Sequence, residues 1–154
     1  NDFKITAFEV PHDGTDNVGY CIEADGKIFS FLTDLGEITP TAAKYICKAH
    51  HLIIEANYDE EMLKMGPYPQ HLKGRIASPR GHMSNRATAE FLADNMNEHL
   101  KNIWLCHLSK DNNHPDLALK TVEFILRSRG ILIGKDVQVA ALKRLTPSEF
   151  HEFE

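Results

Sequence analysis

The sequence predicts a single α/β domain over residues 1–154, built on a mixed β-sheet with flanking helices. Strand-like apolar runs fill the first part of the chain, and helical and strand-like patterns alternate after it. Turn and capping residues separate these patterns. Hydrophobic residues make up 42% of the chain, which suits one core of ordinary size better than two domains or a disordered tract.

The first three predicted strands form an antiparallel unit. They lie at residues 3–10, 19–24 and 27–33. The Asp25-Gly26 pair between the last two is a strong signal for a β-hairpin. If the first two strands are also antiparallel, the first and third strands run in the same direction.

Helices and strands alternate in the rest of the chain. Ser or Thr caps, Pro at the first helical position and Gly after the last one mark the helix ends. Apolar residues at helical spacing mark the buried faces. The predicted elements are a helix from Pro40 to about Ala49 capped by Thr39, a buried strand at 52–55, a short helix at 59–65 ended by Gly66-Pro67, a turn from Pro69, a helix capped by Ser84 with the apolar stripe Ala87, Phe91, Leu92, Met96 and Leu100, a strand at 103–106, a helix from Pro115 to Gly130 and a weak strand at 137–139.

This order of elements brings several strand ends to one edge of the sheet. Helical crossovers normally join parallel neighbours, and the crevice beyond the carboxyl ends of parallel strands is the usual place for a site. His12, Asp34, Glu55 and His107 all follow or end these strands. We therefore expect their side chains to converge.

Each of the four also has an ordinary interpretation. His12 taken alone is favoured as a turn residue, and Asp34 could cap the next helix, although Thr39 fits that role better. Glu55 is interpreted as a carboxylate that orients a histidine or a loop. His107 ends a wholly apolar strand, and imidazole with carboxylate suits zinc, manganese or iron. A metal site is therefore predicted.

The segment 72–86 is a local basic patch. No acidic residue lies between Glu61 and Glu90, whereas five cations do. A solvated basic face and a phosphate site explain this equally well. His82 favours phosphate, because it precedes the Ser84 helix cap and could hold a phosphoryl oxygen or protonate a leaving alkoxide. The five cations are Lys64, Lys73, Arg75, Arg80 and Arg86.

Composition excludes some classes of function and compartment. A net charge of −5 gives no overall reason to bind nucleic acid or an anionic membrane, so affinity for phosphate must be local. Three scattered cysteines argue against a disulfide framework and favour a cytoplasmic protein. We find no apolar run of about 20 residues and no leader, and expect no membrane partner. The chain begins with Asn1 rather than Met, which suggests a segment upstream.

Five segments of the sequence carry a family resemblance: "FEVPHDGTDNVGY", "FLTDLG", "LIIEANYDEEML", "PRGHMSN" and "IWLCHLSKDNN". Singly they are weak, but together they resemble the C-terminal half of a metallo-β-lactamase-fold hydrolase, an αββα sandwich. The nearest branch is formed by bacterial proteins related to ribonuclease Z and reported as DNA exonucleases. The resemblance extends over nearly the whole chain, in the family's order.

The resemblance implies a site for two metal ions, zinc or manganese. His12, ahead of Gly19-Tyr20, matches the histidine of the third metal motif; Asp34 matches the bridging aspartate; and His107 matches the histidine of the fifth motif. His82 matches a catalytic histidine that is not a ligand. The basic segment, rather than the resemblance, suggests Lys73, Arg75, Arg80 and Ser84 as the phosphate-binding residues.

One departure from the family changes what we expect of this chain. The signature His-x-His-x-Asp-His, which supplies two ligands to each metal, is absent from the sequence. We therefore interpret residues 1–154 as the C-terminal half of the fold, a fragment with a partial or empty site that is inactive alone. Its partner would be the N-terminal half. An exposed sheet edge could also favour a homo-oligomer.

The predicted function is that of a phosphodiesterase or nuclease. In the complete enzyme, two metal ions would activate a hydroxide to attack a phosphodiester, and His82 would assist the leaving oxygen. Three alternatives stay open at this point. They are a hydrolase of small esters, amides or cyclic phosphates, a partner module that has lost its metals, and a plain α/β domain in which the predicted ligands are far apart.

Overall fold

The protein folds around one six-stranded mixed sheet whose strands lie side by side in chain order. A computed structural model describes residues 2–153. The first two pairings are antiparallel and the remaining three are parallel, as the sequence predicts. The strands are β1 (Lys4–Glu9), β2 (Val18–Ala24), β3 (Lys27–Leu32), β4 (His51–Glu55), β5 (Asn102–Cys106) and β6 (Gln138–Ala141).

The β2–β3 hairpin confirms the turn signal in the sequence. Ala24 pairs with Lys27 across the turn, which leaves Asp25 and Gly26 as a two-residue loop. Both have positive φ values, 48° and 74°, as a type I′ turn requires. The hairpin makes β2 antiparallel to β3. Strand β3 therefore runs in the same direction as β1 and begins the parallel half of the sheet.

Within residues 2–153, five helices connect the parallel strands, and the predicted caps are in place. The Thr39 hydroxyl accepts a hydrogen bond from the N–H of Ala42, and the Ser84 hydroxyl accepts one from the N–H of Ala87. Gly130, with a φ of 79°, follows the last residues of the long helix. The helices are α1 (Pro40–Cys47), α2 (Glu60–Met65), α3 (Gln70–Ile76), α4 (Asn85–Asp94) and α5 (Pro115–Ser128).

The helix capped by Ser84 is shorter than its apolar stripe predicts. The stripe runs to Leu100, whereas α4 ends at Asp94. Asn97 interrupts the helical pattern: its side-chain oxygen accepts hydrogen bonds from the N–H groups of His99 and Leu100. The amide of Asn97 donates to the carbonyl of Cys47 on α1. Leu100 is still buried, at 2% exposure, but it reaches the core from a turn.

The core lies on one face of the sheet, between the sheet and helices α1, α4 and α5. Alternate strand residues point to this face, including Leu32, Leu52, Ile54, Ile103 and Leu105, and all five are buried. The helices contribute Ala42 and Ile46 from α1, Ala89 and Leu92 from α4, and Ala118, Val122 and Leu126 from α5. Burial of these apolar side chains stabilises the fold and holds the strand ends at a fixed edge.

The opposite face of the sheet is also apolar. Across neighbouring strands, Phe31 pairs with Ile53 and Ile53 with Trp104. Phe31 is 38% exposed, whereas Trp104 is buried. Phe153, near the end of the chain, packs over Phe29, Trp104 and His51. This face has the composition of a protein interior, but the chain's own C-terminal residues cover only part of it.

Among residues 2–153, none of the helices combines the length and the apolar character that crossing a bilayer demands.

Candidate metal centre

Four side chains meet at the carboxyl edge of the parallel strands. Asp34 follows β3, Glu55 is the last residue of β4, and His107 follows β5. His82 reaches the same place from the loop before α4. One nitrogen or carboxylate oxygen from each of the four lies within 4.8 Å of the others, an arrangement that could hold a metal ion.

Glu55 is the centre of the hydrogen bonds in this cluster. Its side chain is fully buried. One carboxylate oxygen, Oε1, accepts from Nδ1 of His82 at 2.8 Å and from Nδ1 of His107 at 2.6 Å. The other oxygen accepts from the N–H of Met83 at 3.0 Å. Burial alone would raise the pKa of Glu55, but the hydrogen bonds from His107 and His82 hold it below its usual value.

These hydrogen bonds fix the two imidazole rings. An ionised carboxylate only accepts hydrogen bonds, so Nδ1 of each ring carries the proton and Nε2 is left for another partner. The hydrogen bond to Glu55 also raises the pKa of His107. Histidines that bind metals usually donate their second N–H to a carboxylate or carbonyl in this way. The contacts of Glu55 are those of an orienting carboxylate.

His12 lies beside the cluster and is oriented by a backbone carbonyl. Its Nδ1 lies 2.8 Å from the carbonyl oxygen of Gly81, and its Nε2 lies 3.7 Å from Oδ1 of Asp34. The same oxygen of Asp34 lies 3.7 Å from Nδ1 of His107. The carboxylate of Asp34 therefore lies between the two rings, and the His107 nitrogen that it faces at this distance is the one that donates to Glu55.

This donor set fits a divalent cation of the zinc or manganese type. His107 has Nδ1 engaged by Glu55 and Nε2 left for a ligand bond. Nε2 of His12 faces two carboxylates, at 3.4 Å from Oδ1 of Asp13 and 3.7 Å from Oδ1 of Asp34. Asp34 supplies a partly exposed carboxylate between the two rings. Nitrogen and carboxylate oxygen are the donors that these ions accept. The alternative interpretation, a plain α/β domain in which His12, Asp34 and His107 lie far apart, does not agree with these distances.

The backbone has a strained conformation at two residues of the site. Asp34 and His107 have φ values of 56° and 55°, in the left-handed region that residues other than glycine rarely adopt. Such residues persist only where the surroundings hold them. At His107 the amide of Asn57 donates to the carbonyl oxygen at 2.7 Å.

A network of buried asparagines, which the sequence patterns did not predict, supports the strand ends. The amide of Asn113 donates to the carbonyls of Ala56 and Asn57 and to the side chain of Asn85. Asn57 in turn holds His107. The sequence does contain a signal for Asn57: it lies two residues past the end of β4. This is the sheet edge at which His12, Asp34, Glu55 and His107 were predicted to meet.

The predicted phosphate-binding residues do not form one surface. Lys73 donates to the carbonyl of Lys64 and lines a separate pocket with Tyr58 and Glu60. Arg80 donates to the carbonyl of His12. Of these residues, only Arg75 lines the large cavity that contains His82 and His107, and its guanidinium pairs with Asp13.

Ser84 is the least available of the predicted phosphate-binding residues. It is 3% exposed. Its hydroxyl accepts from the N–H of Ala87 and donates to Glu60. These contacts are those of a helix cap, so the structure offers its hydroxyl no route to a substrate phosphate.

Gly81 is tightly packed beneath the site, and we expect Gly81→Ala to destabilise the protein. A Cβ there would lie 2.2 Å from the carbonyl oxygens of Arg75 and Ile76, so the backbone must shift, at about 1–3 kcal/mol. Gly74→Ala is the matched control: it lies within α3, with no heavy atom within 4 Å of the new Cβ. It should stabilise by about 0.5–1 kcal/mol. Urea unfolding would measure both, and equal midpoints would contradict the packing argument.

Comparisons with known proteins find a matching family profile and named relatives. Residues 1–103 match the profile of the β-lactamase superfamily domain. Over 138 residues the chain is 33% identical to exodeoxyribonuclease YycJ of Bacillus anthracis and 38% identical to exodeoxyribonuclease WalJ of Streptococcus pneumoniae. Each alignment covers 90% of this chain but only 52% and 51% of the relatives. The chain therefore spans about half the length of these curated relatives.

A solved structure confirms the fold class. The metallo-β-lactamase fold protein YhfI of Bacillus subtilis superposes with a TM-score of 0.62 over 92% of this chain and 47% of its own, at 16% identity. At this identity the likeness concerns the fold alone. It confirms the prediction of a mixed sheet with flanking helices of the metallo-β-lactamase type.

Proposed function

This chain belongs to the β-lactamase superfamily, and on that premise we propose that it supplies the C-terminal half of a metal-dependent phosphodiesterase acting on nucleic acid. The cluster at the carboxyl edge of the sheet carries the proposal: Asp34, His82, His107 and the buried Glu55 that orients the two rings could hold a common cation, with His12 beside them. DNA is the favoured substrate, because the relatives that match most of this chain are named exodeoxyribonucleases.

His12, Asp34 and His107 would hold the metal in this proposal. Divalent cations, when bound, make a water molecule more acidic and offset the negative charge that develops on a phosphodiester. Asp34, the proposed bridging ligand, would bind beside both histidines, since its Oδ1 lies 3.7 Å from Nε2 of His12 and its carboxylate adjoins the ring of His107. Zinc and manganese both accept this donor set.

His82 would act on the leaving group. Its Nδ1 donates to Glu55, which fixes the ring and leaves Nε2 as the atom that can carry a second proton. As the P–O bond breaks, that proton would pass from Nε2 to the departing oxygen. Glu55 would stay ionised throughout and stabilise the positive charge on the imidazole ring of His82. Because it contacts both His82 and His107, one carboxylate would align the proton donor with a metal ligand.

Three ligands shared between two ions do not complete a metal site, so a second part of the polypeptide is needed. We propose that a His-x-His-x-Asp-His segment outside residues 1–154 completes the coordination. The apolar second face of the sheet, with Phe31 and Ile53 on it, is the surface on which that part would pack. On this proposal residues 1–154 are one domain-sized half and are inactive alone.

Metal dependence tests the proposal. The full-length polypeptide that carries this sequence, and residues 1–154 alone, would be assayed on a labelled DNA oligonucleotide, with zinc and manganese measured by elemental analysis. We expect DNA hydrolysis only by the longer protein, abolished by a chelator and restored by either metal. A metal-loaded full-length protein that leaves DNA intact, or hydrolysis unaffected by chelation, would overturn it.

A small phosphodiester is the second candidate substrate. The cavity beside His82 and His107 has a volume of about 980 Å³, at the upper end of pockets that take small ligands. Bis(p-nitrophenyl) phosphate would serve as the probe in the same assay. A much higher kcat/KM for this diester than for the oligonucleotide would favour a small natural substrate.

A further inference from the structure

The large cavity beside the metal cluster extends well beyond the four clustered side chains. One wall comes from the segment around α3 and includes Tyr68, Leu72 and Arg75. A second wall comes from residues after β5 and β6, at 107–111, 113–115 and 142–144. His82 and His107 also line the cavity, so a molecule lying along it would reach the proposed reaction centre.

The wall formed by residues after β5 and β6 is cationic. Lys110, Lys143 and Arg144 line it, and among residues 2–153 Asp111 is the only acidic residue that lines the cavity. These cations lie outside the basic segment 72–86, where the sequence predicts phosphate binding. The chain as a whole has a net charge of −5 and would repel an anion. This local excess of positive charge would attract one.

The two lysines are available to a ligand. Both are exposed, and within residues 2–153 neither Lys110 nor Lys143 makes a side-chain hydrogen bond or ion pair. Arg144 is held in place by donating to the carbonyl of Leu108 at 2.6 Å. The hydroxyl of Tyr68 donates a hydrogen bond to Asp111 at 2.7 Å. One carboxylate oxygen of the acidic residue in the cavity therefore already has a partner.

Tyr68 adds an aromatic surface on the other wall. It is half-buried and is fixed at its hydroxyl end by Asp111, so its ring has a defined position in the cavity. Sites for single-stranded nucleic acid combine a positively charged groove along the phosphates with aromatic rings on which bases stack. The cavity contains both components, next to the histidines at which a phosphodiester would be cleaved.

We propose that this cavity guides a single strand of DNA to the metal centre, with Lys110, Lys143 and Arg144 contacting successive phosphates and Tyr68 stacking on a base. The proposal rests on the proposed function and specifies the form of its substrate. A small diester fills only the space at the metal centre and has no second phosphate for the lysines. The two substrates should therefore respond differently to loss of the cationic wall.

The test uses the metal-loaded full-length polypeptide with Lys110→Ala and Lys143→Ala combined. Its kcat/KM would be measured on a single-stranded oligonucleotide and on bis(p-nitrophenyl) phosphate. We expect the loss on DNA to exceed the loss on the small diester at least tenfold, mainly through KM. The salt dependence on DNA should also weaken, by about 0.7 in the log–log slope for each lost phosphate contact.

A matched control separates local contacts from net charge. Lys120→Ala with Lys135→Ala removes the same charge from two exposed lysines that do not line the cavity, and should keep the wild-type slope. Parallel losses on both substrates, or an unchanged slope in the Lys110/Lys143 variant, would overturn the strand path. If the wild-type protein hydrolyses neither substrate, the proposed function itself fails.

Tyr68 is tested by two substitutions. Tyr68→Phe keeps the ring and loses the hydrogen bond to Asp111, whereas Tyr68→Ala loses both. Stacking predicts that the phenylalanine variant retains most of the affinity for DNA and that the alanine variant raises KM about fivefold or more, since one base stack contributes about 1–3 kcal/mol. Equal losses in both variants would show that the hydroxyl, not the ring, matters, and would overturn the stacking role.

Discussion

Replacing His82 by alanine in the metal-loaded full-length polypeptide is expected to lower DNA turnover by about 10²–10⁴-fold, the contribution typical of a positioned acid. The metal content should stay unchanged. His82 is held by Glu55 through Nδ1, so its loss removes the proton donor and leaves His12, Asp34 and His107 in place. Steady-state kinetics with elemental analysis of the same samples would measure both quantities.

The geometry makes this experiment decisive for the role of His82. Its ring nitrogen belongs to the group of atoms within 4.8 Å that could bind a metal, so a ligand role is the competing explanation. Loss of metal together with activity would establish His82 as a ligand and contradict the proton-donor role. His71→Ala is the control, because His71 is an exposed histidine on α3 and its removal should change neither quantity.

Glu55→Gln is expected to weaken metal binding about 10–100-fold, the usual effect of removing a carboxylate that orients a histidine ligand. Glutamine has one acceptor oxygen and one NH2 group in place of two acceptor oxygens. It cannot accept hydrogen bonds from His82, His107 and the N–H of Met83 together. At least one buried donor loses its partner, which costs about 1–3 kcal/mol of stability.

Metal titration and urea unfolding of the Glu55→Gln variant would measure the two effects. Glu123→Gln is the control: Glu123 pairs with Arg127 on the exposed surface of α5, where an ion pair contributes little. Wild-type metal affinity in the Glu55 variant would show that the rings keep their orientation without this carboxylate. In that case the central role given to Glu55 would be wrong.

Local patterns were enough to predict most of the fold. The Asp25-Gly26 turn and the Thr39 and Ser84 caps depend on hydrogen bonds and dihedral angles within a few residues, so they can be predicted without knowing the rest of the molecule. The strand directions follow from these local elements. Directions alone then place Asp34, Glu55 and His107 at one edge, which is why the cluster could be anticipated.

Other features depend on contacts between distant segments. Helix α4 ends at Asp94, and three residues later the side chain of Asn97 donates to the carbonyl of Cys47, 50 residues away. The apolar stripe predicted a longer helix, since spacing does not reveal such a contact. Glu55 likewise contacts both His82 and His107, and no spacing in the sequence shows that one carboxylate oxygen serves two rings.

The sequence by itself determined the order and direction of the strands, and with them the edge at which histidine and aspartate meet. Only the tertiary structure decided which cations face the site. Lys73 and Arg80, prominent in the sequence, bond to nearby carbonyls, whereas Lys110 and Lys143 line the cavity. The physical reason is that strand direction follows from short-range geometry, but the side of the molecule on which a long charged side chain lies is set by packing among segments far apart in the chain.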